Sequence, residues 1–557
     1  MVRRMLDMMY KEVRGLHQAA YVLGLFALGS QLLALLRDRM LAHNFGAGSE
    51  LDIYYAAFRI PDLLFVLFAS TLSVYVLIPF VTGSEEKGGE GAGGRLLSQV
   101  FTLFLMAYTA VALVSFIFMP YVLPKLFPGI ADPEQLIAVS RILLLQPLLL
   151  GVSSLFGVIT QLGHRFVLYA LSPLVYNVGI IFGIVALYPF FGLTGLVVGV
   201  VIGALGHLAV QWPFIRKSHL QVGLLFQFDW VKLREVLAVS VPRAATLSLQ
   251  QLVLLVLFGL ASAMTVGSVA IFQFAYNLQS VPLSVIGVSY SVAAFPMLAQ
   301  LFARQDYQQF SLHIITALRH IIFWSVPAVI LIIVLRAQVV RVILGSGAFD
   351  WADTRLTAAV LALLVLSLLA QAINLVVIRA FYAGGHTRLP FYITLGGSVL
   401  AVLAAYGFHS IYMANLEIQT AISTFMRLDG VAGSEVLAIA FGYSVAMILQ
   451  ATVLTVALGK VFSINMGFMG RAMYRAILAG VVGGMAAYLT LNFVVEGIDQ
   501  GKFLGILIQG FIAGCAGIAG TVLTYAWLKS PELSEVTVSF QKKLLKVDVV
   551  APQEDVI

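Results

Sequence analysis

Only one cysteine, Cys515, occurs in 557 residues. A single thiol closes no intramolecular disulfide and builds no cysteine-based metal site, which excludes a disulfide-stapled scaffold and a zinc ribbon. Charge is scarce too. Asp, Glu, Lys and Arg together make up 11% of the chain, against about 25% in soluble domains. That little charge cannot clothe a water-facing surface around a chain that is 61% apolar. A mean hydropathy of +0.98 therefore excludes a soluble enzyme. The nine histidines form no HExxH and no ligand cluster, and no Walker lysine motif or nucleophile elbow occurs, so no cofactor or ATP-driven step is legible. Gly89-Glu90-Gly91-Ala92-Gly93-Gly94 spells GxGxxG. No strand precedes it and it joins two apolar runs, so it reads as a flexible linker. A cleavable signal is also missing, because the first apolar run, Gln18 to Leu36, is too long and lacks a small-residue cleavage site.

What the chain has is apolar sequence in runs of membrane-crossing length. Breaks at charged and Pro/Gly-rich segments place spans near 17–36, 53–82, 98–123, 135–162, 167–188, 192–214, 236–262 and 268–300. The remaining spans fall near 311–336, 355–382, 388–411, 436–459, 472–495 and 503–528. Seventeen prolines and 49 glycines, many inside these runs, favour helices over a β-barrel. The fold class is an all-α polytopic membrane protein of about 14 transmembrane helices. An even number of spans puts both termini on one side. With the N-terminus inside, 20 of the 33 Lys and Arg fall in inner segments and eight in outer ones, so both termini are expected in the cytoplasm. The net charge of +7 reads as topology and contact with anionic membrane lipids, with no nucleic acid as partner. In span six, Gly195, Gly199 and Gly203 recur every fourth residue, a pattern that lets helices approach closely.

Polar residues inside lipid are costly, so those that recur at helical spacing carry the most information. In span two, Asp52, Tyr55, Arg59 and Asp62 share one face, and Pro61 should kink the helix near Ala57. Span one aligns Gln31, Ala34 and Asp38, with Ser30 and Arg37 beside them. Span seven aligns Arg243, Thr246 and Gln250 after Pro242. Span eight aligns Gln273, Asn277, Ser280 and Ser284 beside Pro282. Snorkelling at helix ends and an i,i+3 ion pair would account for the arginines singly. The set argues otherwise, because the stripes of spans one and two return six spans later. The economical architecture is two pseudo-symmetric six-helix lobes facing one polar cavity. It divides the chain into an N-terminal segment (1–16), an N-lobe (17–235), a C-lobe (236–459), two further spans (460–528) and a cytoplasmic tail (529–557). An outer segment, 414–428, places much of its apolar set on one helical face and should form an interfacial amphipathic helix.

Several runs resemble the MurJ/MviN family of lipid II flippases, within the multidrug/oligosaccharidyl-lipid/polysaccharide exporter superfamily. They are Ser30 to Asp38, Phe45-Gly46-Ala47-Gly48, Asp52, and Ala57-Phe58-Arg59-Ile60-Pro61-Asp62-Leu63-Leu64. Gly347-Ala348-Phe349-Asp350 with Asp353-Thr354, then Arg379 to Ala383 with Thr387-Arg388 and Pro390, agree in the second half. The resemblance implies a fourteen-helix, two-lobe fold in a bacterial cytoplasmic (inner) membrane, with a cavity between spans 1, 2, 7 and 8. It implies a transporter, not an enzyme, that carries lipid II, the undecaprenyl-diphosphate-linked disaccharide-peptide, to the outer leaflet by alternating access. It also implies work beside the peptidoglycan synthesis machinery. Arg37 and Arg59 would receive the diphosphate, with Asp38 and Asp52 orienting them. Gln31, Tyr55, Arg243, Thr246, Gln250, Gln273, Asn277 and Ser284 would complete the substrate site. Gln31, Phe65 and Asn277 stand where better-known members have arginine, so this cavity should be less cationic; His386 replaces an aspartate in the span-ten turn. The alternative is a flippase or exporter of another polyprenyl-linked glycan or of amphiphilic drugs. A membrane-embedded glycan polymerase would have to use Asp350 and Asp353. Some members are thought to use a cation gradient, but spans 7, 8, 9 and 11 contain no Asp or Glu, which favours drive by the membrane potential.

Overall fold

A computed structural model describes residues 16–544 except 70, 71, 73, 90, 496 and 499–501. The expected N-terminal segment and the end of the tail, 545–557, lie outside the described residues, as do Arg3, Arg4, Lys11, Arg14 and Lys546 from the orientation count. The described elements are helical and include no strand. In chain order they begin α1 (Leu16–Phe45), α2 (Ser49–Ala57), α3 (Arg59–Ala69), α4 (Val74–Gly88), α5 (Ala92–Leu126), α6 (Pro133–Leu143), α7 (Leu145–Leu162) and α8 (Phe166–Phe182). Then follow α9 (Tyr188–Ala209), α10 (Trp212–Ile215), α11 (Trp230–Ser262), α12 (Ser268–Leu283), α13 (Ser289–Ala303), α14 (Tyr307–Val334), α15 (Arg336–Ile343) and α16 (Trp351–Val365). The last are α17 (Leu368–Ala383), α18 (Arg388–Ala414), α19 (Leu416–Met426), α20 (Val436–Val461), α21 (Gly467–Leu489), α22 (Phe503–Trp527) and α23 (Pro531–Leu544).

Among the described residues, ten helices are long and apolar enough to cross a bilayer, or eleven if the bent pair α16–α17 is one span. Span one, α1, is not among the ten, and the rest of the difference from fourteen has local causes. Span two is cut into α2, α3 and α4, each too short to cross alone. Its first break falls at Phe58, one residue from the expected kink and three before Pro61, whose ring disfavours the preceding turn. Spans five and six register as one 50-residue stretch, although Gly192 (φ 58°, ψ −146°) interrupts it. Span eight meets Pro282 and passes through a π-turn, Ser284–Val288, between α12 and α13. By contrast, α11 runs on through Pro242 as one helix.

The chain forms two compact units. One comprises Met1–Gln273, Ile343–Asp353 and Gly430–Val436; the other comprises Phe274–Val342, Thr354–Asp429 and Leu437–Ile557. The division between these units falls inside span eight. Span seven packs on the first unit: a Cβ at Gly259 would lie 2.5 Å from the Leu126 carbonyl oxygen. Within the same unit, a Cβ at Gly199 would come 2.3 Å from the Gly183 Cα. The glycine stripe of span six therefore brings the backbones of spans five and six into contact. The family-like motifs also meet here. Gly46 (φ 61°) leaves no room for a side chain, since a Cβ would lie 2.7 Å from the Ala348 carbonyl oxygen. Ala348 N–H donates to the His43 carbonyl at 2.9 Å, and Ala47 N–H donates to Asp353 Oδ2 at 3.1 Å. Asp350 Oδ1 accepts from Asp353 N–H at 2.8 Å, so both candidate polymerase carboxylates hold backbone.

In the second unit, α13, α14, α17 and α20 enclose a core around Leu298, Phe310, Ile314, Val377, Phe381 and Leu454. The 42° bend between α16 and α17 exposes carbonyls that polar side chains satisfy. Ser444 Oγ donates to Leu363 O at 2.7 Å and Gln279 Nε2 donates to Leu364 O at 3.0 Å. The outer segment forms α19, separated from α18 by Asn415 in extended conformation. Asn415 Oδ1 accepts from Glu417 and Ile418 N–H, which caps the new helix.

Candidate substrate site

The polar stripes of the first unit resolve into two arginine centres. Arg37 lies near the end of α1, which packs along α8. Its Nε and Nη2 donate to Asp38 Oδ1 at 3.0 and 2.8 Å. Adjacent helical residues do not normally face each other, so the guanidinium folds back to reach its neighbour. Nη1 donates to Asn177 Oδ1 at 3.2 Å. Asn177 is buried on α8, and its own amide donates to Pro173 O at 3.1 Å and Ser30 Oγ at 3.4 Å. Those bonds fix the amide with its oxygen toward Arg37. Arginine carries five N–H donors, and these contacts use three. One N–H remains on each terminal nitrogen, the fork that suits a phosphate oxygen pair.

The second centre is buried. Arg59 Nε donates to its own Tyr55 carbonyl at 3.2 Å, and Nη2 donates to Gln273 Oε1 at 3.3 Å. Asp62 Oδ2 stands 3.6 Å from Nη2, and the Phe258 ring centroid lies 4.1 Å from the guanidinium carbon. Arg59 thus ties span two to spans seven and eight through an ion pair, an amide and a cation–π contact. Tyr55 is buried between the centres, within electrostatic reach of both Arg37 and Arg59. Each arginine is matched by one carboxylate, so each centre is close to neutral.

The other expected residues divide. Asp52 orients no arginine: its two oxygens accept from Gly267 N–H at 2.6 Å and Ala270 N–H at 2.9 Å, where the carboxylate caps the start of α12. Gln31 and Arg243 are half-buried, Thr246 is buried and Gln250 is exposed, all in the first unit. Asn277, half-buried, and Ser284, exposed at the start of the π-turn, belong to the second unit. Asn177 was missed by pattern reading because it stands alone on an apolar helix. Its signal was the unpaired cost of an amide in lipid. Gln146 donates to the Tyr176 hydroxyl at 3.2 Å, while its buried Oε1 finds no partner among the described residues.

A family model described as lipid II flippase MurJ matches residues 41–508. The chain is 26% identical over 376 residues to a probable lipid II flippase MurJ of Rhizobium tropici, covering 65% of this chain and 70% of that protein. It is 24% identical over 393 residues to the lipid II flippase MurJ of Burkholderia cenocepacia, covering 69% and 76%. A lipid II flippase MurJ solved in an inward closed conformation overlays with a TM-score of 0.71 at 21% identity, covering 91% of this chain and 99% of that one. An inward-facing multidrug resistance MATE transporter of the MOP superfamily overlays at 0.63 and 14% identity, covering 78% and 94%. At such identities these structures speak for the fold. The match over residues 41–508 carries the assignment, and the chain belongs to the lipid II flippase MurJ family of multi-pass membrane proteins.

Proposed function

We propose that this protein moves lipid II from the cytoplasmic to the outer leaflet of a bacterial inner membrane by alternating access, with both termini in the cytoplasm. The observation that carries the reading is Arg37: a half-buried guanidinium anchored by Asp38 and Asn177, with one N–H left on each terminal nitrogen. A diphosphate cannot cross about 30 Å of hydrocarbon as a bare ion, since an isolated charge there costs tens of kcal/mol. Fixed donors must replace its water, and arginine does so bidentately while staying charged. Arg59 serves as the second grip. Gln31, Thr246, Gln250, Gln273, Asn277 and Ser284 meet sugars and peptide, and Tyr55 and Arg243 complete the site. The N-lobe and the C-lobe rock between inward- and outward-open states, and the π-turn after Pro282 supplies a bend. The peptidoglycan synthesis machinery that consumes the cargo is the expected partner.

A second reading, a different polyprenyl-linked glycan as cargo, is favoured by Gln31, Phe65 and Asn277, three uncharged residues where the better-known members have arginine. Complementation tests the choice. Cells depleted of their own lipid II flippase should grow when supplied with this gene, and failure to grow despite normal membrane expression would favour the other glycan.

A further inference from the structure

Outside the two arginine centres, a third concentration of positive charge lies in the second unit, at the end of span nine, the start of span ten and the end of the outer segment 414–428. Arg427 ends α19 in a left-handed conformation (φ 60°) that L-residues seldom adopt. That turn aims its carbonyl at Arg355, near the start of α16. Arg355 donates to the oxygen from Nε at 2.8 Å and also from Nη2. Arg336, the first residue of α15, is half-buried within electrostatic reach of Arg427. Burial, and then the charge of Arg427, hold the Arg336 guanidinium below its ordinary range. Among the described residues no carboxylate pairs with any of the three. Asp429, two residues from Arg427, accepts from Thr424 Oγ1 at 3.1 Å, and Asp353, two residues from Arg355, accepts from Ala47 N–H. Arg336 and Arg427 repel each other, and Arg355 brings a third cation against the Arg427 backbone, so an anion joining them would relieve the repulsion.

The surroundings say which anion. No residue of α19 is buried, and its Leu416 and Phe425 are 75% and 80% exposed, while Arg427 follows directly. Large apolar side chains beside a cationic cap are the composition of an interfacial helix, with apolar groups among acyl chains and cations at phosphate depth. The positive-inside bias makes cations in an outer segment uncommon, so a cluster there calls for its own ligand.

We propose that Arg336, Arg355 and Arg427 form a binding site for the phosphate of an anionic phospholipid headgroup in the leaflet that receives the cargo. The leaflet assignment rests on the orientation in the proposed function; the site itself does not. The bound lipid anchors α19 at the interface and neutralises the cluster.

The test measures phosphatidylglycerol and phosphatidylcholine retained per molecule of full-length protein, by mass spectrometry after exchange from mixed micelles. Wild type should prefer phosphatidylglycerol. Each interfacial cation contributes a factor of about five, so Arg336→Gln with Arg427→Gln should lower that preference by about 25-fold. Arg336→Lys with Arg427→Lys keeps the charge and should keep most of the preference, and Lys460→Gln at the other end of α20 should leave it intact. Unchanged retention in the double glutamine variant overturns the site. Displacement by millimolar inorganic pyrophosphate as effective as by excess lipid would also overturn it, showing a free-phosphate site. Lipid II flipping is measured on the same samples. A protein that retains phosphatidylglycerol but flips no lipid II refutes the cargo and leaves the site standing, whereas normal flipping without lipid preference refutes the site alone.

Discussion

Replacing Asn177 by leucine removes the neutral acceptor that positions Arg37 and leaves the Asp38 contacts in place. The side chain changes little in size, so the packing of α8 on α1 should survive. What disappears is one hydrogen bond to a charged donor, at 3.2 Å, together with the amide's own bonds to Pro173 and Ser30. A hydrogen bond to a charged group is worth about 1.5–3 kcal/mol, and each 1.4 kcal/mol or so is a factor of ten. Arg37 would then swing toward Asp38, and transport should fall roughly 10- to 150-fold. Asn177→Asp should also slow transport, for another reason: a second carboxylate on Arg37 competes with the incoming phosphate. The assay is lipid II translocation in proteoliposomes, with Tm recorded for each variant. Wild-type rates in Asn177→Leu, at normal Tm, would refute the claim that Asn177 sets the Arg37 geometry.

Asp52→Ala should act on stability. Losing the cap on Gly267 and Ala270 costs about 1–2 kcal/mol, so Tm should fall while the flip rate per folded molecule changes less than for Arg59→Ala. The tail helix should be sensitive to acid. Burial works against the charge of Glu532, but the Ser530 hydroxyl and the Arg319 guanidinium, 2.7 Å away, hold its carboxyl below the ordinary glutamate range. A carboxyl depressed in the folded state contributes stability above its unfolded pKa and loses it as pH falls through the folded one. Limited proteolysis within 531–544 should therefore increase in acid below that range, and already at neutral pH in Glu532→Gln. Transport should respond to membrane potential, worth about 2.3 kcal/mol per charge per 100 mV. A valinomycin-set potential should change the rate and replacing Na⁺ by choline should not; a strict Na⁺ requirement at zero potential contradicts this.

Much of the architecture is written in composition and period. Apolar runs mark the helices, the Gly195–Gly199–Gly203 repeat marks a backbone contact, and the pattern around 414–428 marks α19. The arginine centres were legible as well, because a charged stripe in lipid demands partners. What escaped depends on distant chain. Asp52 looks like a partner for arginine on its own helix, yet it caps α12 more than 200 residues on, which no local spacing reveals. Asn177 belongs to no stripe, and its role appears only when α8 lies on α1.

The central claim is that a guanidinium held by Asp38 and Asn177 carries lipid II across the membrane. The most direct measurement is lipid II translocation by reconstituted wild-type protein beside Arg37→Ala, with a second polyprenyl-diphosphate glycan as competing cargo. Removing one partner of a desolvated pair costs about 2–5 kcal/mol. Wild type should translocate lipid II in preference to the competitor, and Arg37→Ala, folded and inserted normally, should lose at least about 30-fold of that activity. Translocation of lipid II by Arg37→Ala at the wild-type rate would contradict the account.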